Sequence, residues 1–242
     1  LYQNNKNGTF TNVSKAAGLD FPVYAMGSNF GDIDNDGFLD MYLATGNPEF
    51  EAIVPNKLFR NTGKGSFMDI SVVARVANLQ KGHAVAITDI DNDGDQDIYV
   101  IIGGAYPGDY FHNSLYLNPG QNTNRWLHLL LEGKESNRSA IGARIKIVIT
   151  ENGVKRAIYR DVNSGGSFGS TSIRKDIGLG QANIIDELSI TWPRTLKTQS
   201  FYNVPVNQSL KLVEGQGSLI KLDLPILKFI GDSTKIPMCN PI

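Results

Sequence analysis

Nine residues, Asp32-Ile-Asp-Asn-Asp-Gly-Phe-Leu-Asp40, recur 57 positions later as Asp89-Ile-Asp-Asn-Asp-Gly-Asp-Gln-Asp97. Each copy sets carboxylates at relative positions 1, 3, 5 and 9 with glycine at 6. Four acids in one tight turn repel each other unless a hard cation sits among them, and glycine permits the backbone reversal that turns alternate side chains inward. All the ligand atoms within either loop are oxygens, with no His or Cys, which favours calcium over a softer metal. The expected ligands are Asp32, Asp34, Asp36 and Asp40 with the Phe38 carbonyl, and Asp89, Asp91, Asp93 and Asp97 with the Asp95 carbonyl. The Asp95 side chain is expected to point outward. The alternative, a pair of Asp/Asn/Gly turns that bind nothing, is weakened by the identical register of the two copies.

An EF-hand reading fails on two counts. Position 12, where that motif needs a bidentate Glu, is Leu43 in one copy and Val100 in the other. The segments that follow, Met41-Tyr-Leu-Ala-Thr45 and Ile98-Tyr-Val-Ile-Ile102, are apolar runs rich in β-branched and aromatic residues and are expected to be strands.

The duplication extends beyond the loops. Leu1-Tyr-Gln-Asn4 aligns with Leu58-Phe-Arg-Asn61, Gly8-Thr-Phe10 with Gly65-Ser-Phe67, and a third start falls at Leu115-Tyr-Leu-Asn118. A fixed period of this length marks an array of supersecondary units. Each unit has an outer hairpin, turning at Asn7-Gly8 or Lys64-Gly65, and an inner strand pair joined by the acidic loop, which makes the four strands of a propeller blade. The pattern Leu-Tyr-x-Asn, Gly-Thr-Phe, Asp-x-Asp-x-Asp-Gly-x-x-Asp over residues 1–118 resembles the FG-GAP/VCBS repeats of integrin-type and bacterial surface propellers, whose loops bind calcium. About two blades cannot close a propeller. The expectation is that further blades precede Leu1, or that the second domain or another chain covers the exposed edges.

Beyond Leu117 the period stops. Trp126–Leu131, Ala143–Ile149, Val154–Val162, Glu187–Trp192 and Ser209–Val213 are expected to be strands, with Asn152-Gly153 as a hairpin turn. With no amphipathic helix in view, the fold class is all-β: an incomplete β-propeller plus a C-terminal antiparallel β-sandwich. Asn124-Arg-Trp-Leu127, Ser136-Asn-Arg138, Ile141-Gly-Ala-Arg144, Gly178-Leu-Gly180 and Trp192-Pro193 resemble the ASPIC/UnbV domain over 124–215. That resemblance implies an extracellular, calcium-stabilised module for adhesion or recognition, without catalysis. Residues 216–242 form an extension in which Leu219–Leu224 alternates as one more strand.

Net charge is −1 but divides unevenly: residues 1–120 hold 7 Lys+Arg against 14 Asp+Glu, and residues 121–242 hold 16 against 10. Nine of the first half's acids lie in the two loops, so the asymmetry is mostly a metal signature. The basic residues of the second half are scattered singly, which speaks for solvated strand faces and against nucleic acid. No apolar run is long enough to span a membrane. Cys239 stands alone, so an internal disulfide framework is excluded. The calcium concentrations that such loops sense place the chain outside cells.

Gly165-Gly-Ser-Phe-Gly169 has the spacing of a nucleophile elbow but no following helix or later histidine, and reads as a glycine-rich turn. Gly178-Leu-Gly180 lacks the βαβ setting of a dinucleotide loop. His83 answers to Met26 in the first repeat and is expected to be a packed strand residue, and His128 a half-exposed one. Tyr106, Tyr110, Phe111 and His112 form an aromatic loop suited to a sugar ring, to a partner, or to packing between the domains.

The leading function is a calcium-binding, non-enzymatic surface module whose partner is a protein or glycan. A carbohydrate-binding or polysaccharide-degrading subunit and a structural subunit of a cell-surface assembly are the alternatives.

Overall fold

The computed structural model describes residues 1–46, 54–104, 108, 111–120 and 123–229. Among them every regular element is a strand. β1 (Tyr2–Asn4) and β2 (Phe10–Asn12) form a hairpin. β3 (Ala25–Gly31), β4 (Asp40–Thr45), β5 (Lys57–Asn61) and β6 (Phe67–Asp69) follow one another in an antiparallel four-stranded sheet, and β7 (Gly82–Thr88), β8 (Asp97–Ile102) and β9 (Ser114–Tyr116) make a three-stranded counterpart. These are propeller blades, with β3 and β4 of the first packed on β7 of the second.

The repeat and the blade are out of phase, which corrects the expected unit. The hairpin turning at Lys64-Gly65 pairs with β4, whose acidic loop belongs to the preceding repeat: Met41 faces Phe59 and Tyr42 faces Leu58. The outer hairpin of the second repeat therefore completes the blade before it, as β9 does for the next, while β1 and β2 form a two-stranded sheet of their own. The cause is connectivity, because β5 returns beside β4, while the 12 residues between β2 and β3 carry the chain to a new sheet. Tyr42, Leu58, Val85, Ile87, Ile98 and Val100 are buried in the core between the blades.

The second half is a sandwich. One sheet has the order β13 (Lys175–Gly180), β10 (Arg125–Glu132), β16 (Gln208–Val213), β17 (Ile220–Lys221). The other runs β12 (Val154–Asp161), β11 (Arg144–Glu151), β14 (Ile184–Thr191), β15 (Thr198–Pro205). Leu127, Leu129, Ile145, Ile147, Ile149, Ile177, Leu179 and Trp192 interdigitate between them, each almost wholly withdrawn from water. At about 1.5–3 kcal/mol for each such aliphatic chain, this layer is the main stabilising term of the domain.

The antiparallel expectation fails at one pair. β10 and β16 run parallel, from Leu127 beside Gln208 to Glu132 beside Val213. A parallel pair needs a crossover rather than a hairpin, and here β11 to β15 intervene, four of those five strands lying in the other sheet and β13 on the opposite side of β10. The strand expected over Leu219–Leu224 shrinks to β17, and the chain beyond it turns back to the second acidic loop, where the Leu227 N–H meets the Asp91 carbonyl at 2.7 Å. Tyr106, Tyr110, Cys239, Pro237 and Pro241 lie outside the described residues.

One carboxylate pins the sandwich's 133–138 turn. Glu214 Oε2 accepts the N–H groups of Lys134, Glu135 and Ser136 at 2.7–2.9 Å, and its Oε1 accepts the Ser136 hydroxyl at 3.0 Å. Charge-assisted bonds to a buried carboxylate are costly to lose. Glu214→Ala is expected to lower stability by about 2 kcal/mol, measured by urea unfolding at unchanged m-value.

Candidate metal centres at the domain junction

Both acidic loops are tight because two positions adopt left-handed backbone. Asn35 and Asn92 have φ of 55° and 62°, and Gly37 and Gly94 of 91° and 102°. Asparagine tolerates that region and glycine is at ease in it. The turns draw Asp32, Asp34 and Asp40 together, and Asp89, Asp91 and Asp97 likewise, with one oxygen from each residue of a triplet within 4.8 Å of the others. Asp36 and Asp93 fall outside these triplets; Asp36 Oδ1 accepts the Phe38 N–H at 2.8 Å and Asp93 Oδ1 the Asp95 N–H at 3.0 Å.

The first and last carboxylates of each loop are buried and tied to backbone. Asp32 accepts the Gly37 N–H and Asp40 those of Ile33 and Asn61. Asp97 repeats the Asp40 pattern with Ile90 and Asn118. Burial, with repulsion from the neighbouring acids, raises Asp32 to about 7 despite Arg160, and Asp40 well above the carboxylate range. Burial lifts Asp97 to about 7 and, aided by Asp93, Asp91 to about 6. Asp89 departs from the pattern: burial pushes it up, but the hydrogen bond and charge of His128, the Gly94 N–H and Arg174 hold it below its ordinary value. Carboxylates that resist ionisation until a positive charge arrives are what a divalent cation satisfies, and the all-oxygen donor set suits a hard one.

Neither loop opens freely to solvent, because the sandwich docks on both. The Gly178 N–H donates to Asp32 Oδ2 at 3.1 Å, and Arg160 reaches the same oxygen at 3.2 Å and the Gly37 carbonyl at 3.1 Å. Arg156 donates to the Asp36 carbonyl at 2.6 Å while its guanidinium lies 5.2 Å from the Phe38 ring centre, a cation–π contact. At the second loop Arg174 donates to the Asp89 carbonyl at 2.6 Å and to Asn92 Oδ1 at 2.8 Å. These arginines correct the expectation of solvated basic faces. The positive half of the chain answers the negative half directly, as well as through any metal.

Asp95 is also not turned to solvent. Its Oδ1 accepts from Asn35 Nδ2 at 2.8 Å, and the same amide donates to the Gly94 carbonyl at 3.0 Å, so the two loops are bonded to each other. His128, expected half-exposed, is 1% exposed, with Nε2 3.1 Å from Asp89 and Nδ1 3.0 Å from Ser209 Oγ. That Ser–His–Asp line is sealed within the junction, with Ser209 7% exposed, and offers no approach to a substrate. The glycine-rich turn at 165–169 closes against the first blade through paired backbone bonds between Ser28 and Ser167. Trp126, expected as a strand residue within the Asn124–Leu127 motif, has its indole where a Cβ on Gly94 would stand. No local pattern could have shown these contacts, whose partners lie from 32 to 146 residues apart.

Paired acidic turns on propeller blades, capped by a β-sandwich, define an all-β repeat protein with candidate cation sites at its domain junction. The FG-GAP-like repeat family matches residues 1–43 and 45–100, and the ASPIC and UnbV family matches 133–219. The chain thus carries FG-GAP-like repeats followed by an ASPIC/UnbV domain. No match was found among curated proteins. Such repeats are typically extracellular or at the cell surface, and both modules are generally non-catalytic. No described helix is long and apolar enough to cross a membrane.

Proposed function

We propose that the chain is a calcium-stabilised, non-enzymatic recognition or adhesion module that works outside the cell against a protein or glycan partner. The observation that carries this reading is the pair of buried acidic triplets in one register, both set into the seam between blades and sandwich. Asp32, Asp34 and Asp40 would hold one ion and Asp89, Asp91 and Asp97 the other, with the Phe38 and Asp95 carbonyls and the Asp36 and Asp93 carboxylates as the further oxygens a six- to eight-coordinate calcium takes. The bound charge would relieve repulsion among carboxylates that burial otherwise disfavours as ions, and would fix the loops on which the sandwich sits.

Equilibrium binding to the full chain is expected to give two calcium ions per molecule. Asp34→Ala and Asp91→Ala are each expected to lower that number to one, since each removes a ligand that is neither the most buried nor paired to Arg160 or His128. A stoichiometry of zero in the parent chain, or of two in both variants, sinks the assignment.

The alternative of a carbohydrate-binding subunit gains support from a cleft elsewhere on the junction.

A further inference from the structure

Between β3 of the first blade and β12 with the start of β13 of the sandwich lies a cavity of about 420 Å³. It is separate from the acidic triplets, although Arg160 and Arg174 stand in its wall. Both arginines are committed elsewhere. Arg160 donates to Asp32, the Gly37 carbonyl and the Tyr159 carbonyl, which leaves only its buried Nε without a hydrogen-bond partner, and Arg174 donates to Asp176, Asn92 and the Asp89 carbonyl.

Lys175 is placed differently. Its ammonium donates to two carbonyls that line the same cavity, Asn163 at 2.8 Å and Ser172 at 3.1 Å, and it has no ion pair with a described residue. A lysine ammonium carries three donors, so one remains for a ligand. The two carboxylates at the cleft are engaged by others: Asp176 accepts from Thr88, the Asp89 N–H and Arg174, and Asp161 lies 3.8 Å from Arg144. The cleft therefore offers one half-buried ammonium held by two carbonyls, with the charges of Asp176 and Asp161 acting on it without a direct salt bridge among the described residues.

Two aromatic rings share the cavity with that charge. Phe30 is 46% exposed and Tyr159 is 66% exposed. Flat apolar faces beside Asn, Ser and Thr side chains suit a ring that is apolar on its face and rich in hydroxyls at its edge. The shape speaks against an extended peptide. Strand addition along β3 is blocked where Ser28 and Ser167 exchange backbone hydrogen bonds at 3.0 and 2.9 Å, and the Phe30 N–H is taken by Asn29 Oδ1.

We propose that this cleft binds a carboxylate-bearing sugar residue of an acidic glycan, Lys175 meeting the carboxylate and Phe30 and Tyr159 the ring. The inference rests on the reading of the chain as a recognition module and names the class of its ligand. It does not depend on calcium.

The test is calorimetric titration of the full chain with a galacturonic acid trisaccharide, both solutions dialysed against one calcium-containing buffer. The expected result is saturable binding at least tenfold tighter than that of the neutral galactose trisaccharide. Lys175→Met is expected to weaken it at least tenfold and Tyr159→Ala at least fivefold, with the melting temperature of the Tyr159→Ala protein unchanged. Tyr159 is exposed, so that variant decides the matter if Lys175→Met fails to fold. Equal binding of the acidic and neutral sugars, no binding of either, parent-like affinity in the folded variants, or tighter binding of hexaglutamate would each overturn the assignment. Repeating the titration in chelator separates the two readings. Sugar binding without any calcium uptake leaves the cleft standing and removes the calcium sites, whereas two bound calcium ions with no sugar binding does the reverse.

Discussion

In excess chelator at pH 7.5 the chain is expected to melt about 10–20 °C below its calcium-saturated form. A ligand held at a hundred times its dissociation constant stabilises the folded state by about 2.7 kcal/mol, and two such sites contribute about 5 kcal/mol. At roughly 2–4 °C per kcal/mol for a chain of this size, the shift follows. Magnesium at the same concentration should recover only part of it, because it demands a smaller octahedral cage and gives up its waters reluctantly. Calcium that leaves the melting curve unmoved would overturn the structural role of both loops.

The size of that shift should depend on pH, with a sign fixed by the carboxylates. Asp32, Asp95 and Asp97 are raised to about 7 without metal, and Asp36 and Asp91 to about 6, burial being the leading cause in each. A group whose folded value lies above its unfolded one contributes stability that is complete below about pH 4 and is lost as pH rises to about 7. The metal-free chain should therefore lose stability between about pH 4 and pH 7. Asp89, whose value is lowered, works the other way, but its contribution is lost only as pH falls below the ordinary carboxylate range, outside this window. Calcium needs ionised ligands, so its stabilisation should grow over the same interval. The two melting profiles should diverge with rising pH. Parallel profiles would mean that the ion binds away from these acids.

The acidic loops were legible because their chemistry is local: every ligand lies within nine residues of the others, and repetition at 57 residues excluded chance. Strands and core followed from alternation, as in Ile145, Ile147 and Ile149. What could not be read was anything set by distance along the chain. Arg160 and Asp32 stand 128 residues apart, and neither knows of the other in a local pattern. A lone arginine on an alternating strand looks the same whether it meets water or a buried carboxylate. His128 was misjudged for that reason, since the alternation of Trp126–Leu131 predicts a side but not what covers it. The blade's phase was hidden by a different ambiguity. A perfect repeat fixes the period, but it is silent on which hairpin pairs with which inner strand, and only the register of β4 on β5 decides it.

Gly178→Val is expected to lower stability by about 3 kcal/mol, shifting the melting temperature down by about 6–12 °C and separating the sandwich from the first blade. The residue sits in β13 with ordinary strand backbone, so the effect comes from contact and not from conformational strain. A Cβ there would lie 2.4 Å from both Cα and the carbonyl carbon of Asn35, backbone atoms of the first acidic loop that cannot swing aside. Moving β13 away also removes the Gly178 N–H from Asp32 and the Gly180 N–H from the Asn35 carbonyl, leaving buried acceptors with fewer donors. The loss should therefore exceed that of simple overpacking. Gly217→Ala is the matched control, because nothing lies within 4 Å of a Cβ at that position, and its change should stay within about 0.5 kcal/mol. Limited proteolysis gives a readout that a merely local defect would not move. Once the seam loosens, the segment between β9 and β10 should be cut faster in the Gly178 variant, while cleavage within the sandwich stays at the parent rate. Unchanged stability and cleavage in that variant would show that β13 does not bear on the first loop in solution, and the docking of the sandwich on the acidic loops would have to be abandoned.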